Sequence, residues 1–133
     1  MENKNYDVQS VSINAPAGKV FEFVANPANL PIWTKAFQQA NNEQAVMVTP
    51  EGELSIKLEV RATEEQGTVD WYMYFPDGSQ GTAYSRVTPN GEASVYTFVL
   101  MAPPTPLEQL EGAFDEQKKI LAQELQNLAG QFA

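Results

Sequence analysis

Cysteine and histidine are both missing from the 133 residues of this chain. Without cysteine there is no disulfide, no thiolate nucleophile and no sulfur-ligated zinc or iron–sulfur centre. Without histidine the usual general base at neutral pH and the commonest metal ligand are gone, and a Ser-His-Asp or Cys-His mechanism cannot be built from this chain alone. Carboxylates remain, but none are spaced like a calcium loop, and no glycine-rich phosphate cradle is present. No metal and no cofactor is therefore expected. Positive charge is also scarce: 8 Lys and Arg face 17 Asp and Glu, for a net charge of −9. That balance repels phosphate backbones and anionic bilayers, so neither nucleic acid nor a membrane surface is the expected partner. No apolar run approaches spanning length. Met1 to Asn5 is polar with no apolar stretch behind it, so no leader is read and the cytoplasm is the expected compartment.

What is present suits a single domain over residues 1–133, with 43% apolar and 19% charged residues. Tyr6 to Asn14 is rich in β-branched residues and partly alternating, as a strand is. Ala15-Pro16-Ala17 opens a helix whose Val20, Phe23 and Val24 share one face, and Asn26-Pro27 closes it. A short helical or turn segment, Pro27 to Trp33, carries Leu30, Ile32 and Trp33. From Phe37 to Met101 the period is two. Gln44 to Thr49 is a short strand. Leu54, Ile56, Leu58 and Val60 alternate with polar neighbours, and Val69, Trp71, Met73 and Phe75 form the next alternating set. Asp77-Gly78 and Asn90-Gly91 are hairpin signals, with strands over Thr82 to Thr88 and Ser94 to Met101.

Pro103-Pro104 ends the sheet. Thr105, Pro106 and Glu108 have the N-cap, first-turn and capping-box chemistry of a helix start. Leu107, Leu110, Phe114, Leu121, Leu125 and Leu128 then form one apolar stripe on a helix of about 25 residues. An antiparallel sheet of six or seven strands cannot cover its own apolar face, and this helix is the only element large enough to do so. The fold class is α+β, in the order strand, two helices, five or six strands, helix.

The run from Val11 to Trp33 (VSINAPAGKVFEFVANPANLPIW) resembles the opening of the START-like helix-grip superfamily. The resemblance is greatest to its polyketide cyclase/dehydrase and lipid-transport branch, related in fold to the birch-pollen allergens. Val69-Asp70-Trp71, Phe75-Pro76-Asp77-Gly78, Ser85-Arg86-Val87 and the Pro103-Pro104 entry to the last helix extend the likeness over nearly the whole chain. It implies a curved sheet gripping a long C-terminal helix, with an elongated cavity between them. Cyclase members often use histidine or other polar groups in that cavity; the absence of histidine here counts against the cyclase reading.

Nine residues are the candidates for the ligand wall: Trp33, Ile56, Leu58, Trp71, Met73, Tyr84, Arg86, Phe114 and Leu121. Each apolar one among them also suits plain core packing, since apolar periodicity reports burial first. Tyr84 and Arg86 join the set if the Asp77-Gly78 hairpin has an even-numbered loop, which would put them on the face of Trp71 and Met73. Arg86 would then anchor a ligand carbonyl or carboxylate. With a two-residue loop at Asn90-Gly91, however, Val95, Thr97 and Val99 would share that face. The bulkier Tyr96, Phe98 and Leu100 would point outwards, unless a bulge intervenes or the sheet is covered on both sides.

Asp70 and Glu124 are the candidate acids, because a carboxyl buried in an apolar setting can act as acid or base. Three functions follow in order: a binder of a small apolar or amphipathic molecule, acting as monomer or homodimer; a cyclase- or dehydratase-type enzyme; and a protein-interaction module using the outer face of the sheet. A buried Asp70 or Glu124 facing a cavity would favour the second, and exposed Tyr72, Tyr74 and Phe98 the third.

Overall fold

The computed structural model describes residues 6–49, 52–102 and 114–133. Strand β1 (Tyr6–Ile13) leads into α1 (Ala17–Ala25), a single 3-10 turn (Pro27–Asn29) and the short α2 (Leu30–Trp33). Six strands follow: β2 (Phe37–Ala40), β3 (Gln44–Thr49), β4 (Gly52–Thr63), β5 (Thr68–Tyr74), β6 (Gln80–Asn90) and β7 (Ala93–Met101). The C-terminal helix, α3, is described over Phe114–Gly130. The proposed helix start at Thr105, Pro106 and Glu108 lies outside the described residues, as do Leu107 and Leu110. No helix among the described residues is long and apolar enough to cross a membrane.

All strand pairs are antiparallel, and the sheet runs β1-β7-β6-β5-β4-β3-β2. It is a curled half-barrel around α3, the helix-grip arrangement. The segment from Phe37 contains a separate short edge strand, β2, whose pairing with β3 shifts register between Phe37 and Gln39.

Local chemistry accounts for the joints. Asn26 ends α1 with an extended backbone before Pro27, and its Oδ1 accepts the Ala28 N–H at 3.1 Å. The Thr34 hydroxyl and N–H both donate to the Leu30 carbonyl, at 2.7 and 2.8 Å, and close α2. Buried Ser94 on β7 donates to the Ala15 carbonyl at 3.0 Å, pinning the entry to α1 against the sheet.

The parity of one loop decides which residues face the helix. Tyr74 pairs with Gln80, so the β5–β6 loop spans Phe75 to Ser79 and holds an odd number of residues. Asp77 Oδ1 accepts the Ser79 N–H at 2.9 Å, and Gly78 adopts φ 89° within this loop. Trp71 therefore pairs with Ala83, and Met73 with Gly81. Asn90 pairs with Ala93, leaving a two-residue turn of Gly91 and Glu92. Ser85 then lies opposite Phe98, and Val87 opposite Tyr96. Tyr96, Phe98 and Leu100 thus join Trp71 and Met73 on the inner face without a bulge or a second cover. The odd loop sets aside the even-numbered alternative, under which Tyr84 and Arg86 would face inwards.

The inner face packs on Leu121, Leu125 and Leu128 of α3 and on Val20 and Val24 of α1, all nearly or fully buried. Each such side chain contributes about 1.5–3 kcal/mol by leaving water.

Candidate functional site

The layers do not close completely. Between α2, the inner face of the sheet and α3 lies a cavity of about 490 Å³, within the range of small-molecule sites. Trp33 at the end of α2 and Trp71 on β5 form its aromatic wall, with ring centroids 6.5 Å apart. Phe98 stacks on Trp71 at 5.7 Å. Met73, Leu100 and Met47 continue the wall along the sheet, and Ile120 and Leu121 supply the helix side. Gly81 keeps the floor open: a Cβ there would sit 3.2 Å from Phe75 and 3.4 Å from Met73. Lys35 and Val48 line the cavity yet are exposed, which marks where it meets solvent.

Among the described residues one acid belongs to this cavity. Glu124 is 9% exposed and lies one turn along α3 from Ile120, among the lining residues. Its Oε2 accepts the Lys35 N–H at 2.6 Å, tying α3 to the segment between α2 and β2. Burial pushes its carboxyl above the ordinary carboxylate value, while the N–H groups of Lys35 and Ala36 oppose that shift.

Among the described residues three buried polar side-chain atoms lack a hydrogen-bond partner: the indole nitrogens of Trp33 and Trp71, and the Tyr96 hydroxyl. They form one aromatic cluster, with the Trp33 and Tyr96 rings edge to face at 6.1 Å. Burial raises the Tyr96 phenol far above its usual range, the neighbouring Ser85 hydroxyl pulls the other way, and the Glu124 charge adds to the rise. The Ser85 hydroxyl itself donates to the Val69 carbonyl at 2.6 Å. Leaving such donors unmet costs about 1–3 kcal/mol each.

The structure brings together Trp33, Trp71, Met73, Leu121 and Glu124 around one space. Other candidates lie elsewhere. Ile56 and Leu58 point inwards from β4 and are buried in the core, outside the cavity lining. Phe114 is buried at the start of the described helix beneath the Lys118 ammonium, 4.8 Å from its ring centroid, and is not a lining residue either.

Tyr84 and Arg86 lie on the convex face, for the parity reason above. The Tyr84 ring meets Tyr72 edge to face at 6.3 Å. Arg86 Nε donates to the Gln66 carbonyl at 3.1 Å, so it serves the β4–β5 turn. Asp70 is on the same outer face, paired in register with Arg61 and Tyr84, and has no access to the cavity. Phe98 is 9% exposed and faces inwards, so the aromatic outer surface is narrower than expected. Its members Tyr72 and Tyr74 are occupied: the Arg61 guanidinium lies 4.1 Å over the Tyr72 ring, and the Tyr74 hydroxyl donates to Glu59 at 3.2 Å.

Sequence reasoning missed Phe98 and Leu100 through the loop parity. It missed Met47, Gly81 and Ala83 because small or flexible residues carry no signal beyond burial.

Comparisons with known proteins agree with this geometry. No protein-family model matches the chain, and no curated protein matches it by sequence. Solved structures do. A START superfamily protein from Mycobacterium smegmatis superposes with a TM-score of 0.67 at 13% identity, covering 96% of this chain and 99% of that one. The fold is the START-like helix-grip fold. The Zhui aromatase/cyclase of a Streptomyces species gives 0.68 at 9% identity, over 97% of this chain and 93% of that one. BexL, a di-domain aromatase/cyclase from a biosynthetic pathway, gives 0.71 at 12% identity, over 95% of this chain and 45% of that longer one. At such identities the likeness extends to backbone architecture alone.

Proposed function

We propose that this chain binds a small, largely apolar molecule in the cavity between its sheet and C-terminal helix, with the cytoplasm as its compartment. The observation that carries this reading is a space of about 490 Å³ walled by Trp33, Trp71, Phe98, Met73 and Leu121. A ligand burying about 400 Å² of apolar surface there gains roughly 10 kcal/mol. Against this stands a cost of at least about 4 kcal/mol for lost translational and rotational freedom. The difference, at most about 6 kcal/mol, leaves a dissociation constant of tens of micromolar or weaker.

Native mass spectrometry of freshly purified protein tests the reading. We expect a discrete adduct of a few hundred daltons that leaves on denaturation and is lost in Trp71→Ala. If the adduct survives in folded Trp71→Ala and in folded Leu121→Ala, it sits elsewhere and the cavity assignment fails.

One observation favours a second reading. A buried carboxyl with a raised pKa at the wall of an apolar cavity is the chemistry of a general acid. In a cyclase- or dehydratase-type reaction Glu124 would carry the proton; Asp70, on the outer face, has no part in it. The aromatase/cyclases that share the fold make this the natural alternative. The two readings separate on recovery: a carrier returns its extracted ligand unchanged, an enzyme returns it converted.

A further inference from the structure

Among the described residues that line the cavity, Glu124 is the one buried ionisable group. We infer that Glu124 makes this a site for neutral, hydroxyl-bearing apolar molecules and a barrier to anionic lipids such as fatty acids. The inference rests on the proposed binding role and gives it a ligand class.

Glu124 projects from α3 into the side of the cavity opposite the sheet, 9% exposed and among the lining residues. A carboxylate offers two oxygens and about four acceptor positions, and donates nothing when ionised. The Lys35 N–H takes one position at 2.6 Å, and the Ala36 N–H also favours the ionised group. Capacity to accept remains, and a ligand O–H can fill it. If Glu124 is protonated instead, the same hydroxyl can accept from it. A neutral alcohol or phenol is therefore matched in either state.

An anionic head group is not. Beside ionised Glu124 it would place two like charges in a poorly solvated space, a costly arrangement at any realistic interior dielectric. It can enter only if one of the two carboxyls takes up a proton. The other charged and titratable groups near Glu124 offer no escape. Tyr96 on β7 is neutral and buried, and Lys35 is exposed at the edge of the cavity, where its charge favours ionised Glu124 without forming an ion pair with it. The chain's net charge of −9 adds to the repulsion at long range.

The two tryptophans of the chain both line this cavity, so intrinsic fluorescence reports its occupancy directly. The test titrates the protein with decanol and with decanoate at neutral pH and again under mildly acidic conditions. Decanol is expected to bind at least about tenfold more tightly at neutral pH, with little dependence on pH. Decanoate affinity should rise on acidification, with net proton uptake measured by calorimetry in two buffers of different ionisation enthalpy.

In Glu124→Gln the preference for the alcohol should shrink several-fold and the proton uptake on decanoate binding should fall. Equal or tighter binding of decanoate by the wild type at neutral pH would overturn the inference. So would a preference left intact in Glu124→Gln, or decanoate binding abolished by Lys35→Met, which would make the lysine the head-group site. If neither probe quenches or shifts the tryptophans, the cavity reading itself falls, and this inference with it.

Discussion

Glu124 shows how far one residue's setting can be traced to a measurable consequence. A burial-raised pKa means that the folded state holds the proton more tightly than the unfolded chain does. The stabilising contribution of such a group is fully present below its unfolded value, here near the ordinary 4.5. It is lost as pH rises through the higher folded value. Glutamine lacks that proton linkage and can still accept the Lys35 N–H. The difference in Tm between wild type and Glu124→Gln should therefore move in favour of the wild type as pH falls from neutral towards 4.5. A difference that stays flat across that window, or moves the other way, would show that burial does not govern this carboxyl.

Residues were unevenly legible in the sequence. Trp33, Trp71 and Leu121 announced burial through their periodicity, and they do line the cavity. Glu124 was visible as an acid beside the helix stripe, but its contact with Lys35 joins positions 89 residues apart, which no local pattern encodes. Tyr84 and Arg86 illustrate the opposite failure. Their spacing puts them on one face together, but which face depends on the loop before them, because strand alternation fixes only relative orientation. The absolute face depends on every intervening loop, and one odd loop inverts all that follows.

At the scale of elements, the helices and most strands were legible because each has a clear period and punctuation. Val20 and Val24 mark the inner stripe of α1, and the Asn26-Pro27 stop lies where it should. The short edge strand β2 was not separable from its surroundings: four residues with a register shift leave too little alternation to read.

The turns are where single residues control whole elements. At the β4–β5 turn, Gly67 adopts φ 74°, and a Cβ at that position would lie 2.3 Å from the Val87 carbonyl oxygen. The Val87 N–H donates to the Gly67 carbonyl at 2.8 Å, so the turn is held against β6 by the same close approach. Alanine there must open that contact as well as adopt a strained backbone, and backbone strain alone costs about 1–3 kcal/mol. Gly67→Ala should lower the unfolding free energy by at least that much in denaturant titration. The same substitution at Gly18, where nothing lies within 4 Å of a new Cβ and the residue sits in α1, should be neutral or stabilising. Equal effects at the two sites would contradict the steric account.

On the scale of the whole molecule, a sheet that wraps one helix has more inner surface than the helix can fill. Short helices α1 and α2 cover one end, and the remaining gap becomes the cavity. Its lining is apolar for the same reason as the core, which is why the sequence could not separate ligand wall from packing. Ile56 and Trp71 look alike in the pattern and are equally buried, yet only Trp71 lines this cavity. Only the spatial arrangement of layers distinguishes them.

The central claim is that a small apolar molecule enters this cavity. The most direct measurement is a set of intermolecular nuclear Overhauser effects from protein saturated with decanol. The account predicts contacts from the ligand chain to the methyl groups of Leu121, Met73 and Ala83, which line the cavity, and none to Val8 or Ile32, each 52% exposed on the outside. Contacts confined to Val8, Ile32 or other exposed methyl groups, with Leu121, Met73 and Ala83 silent, would contradict it.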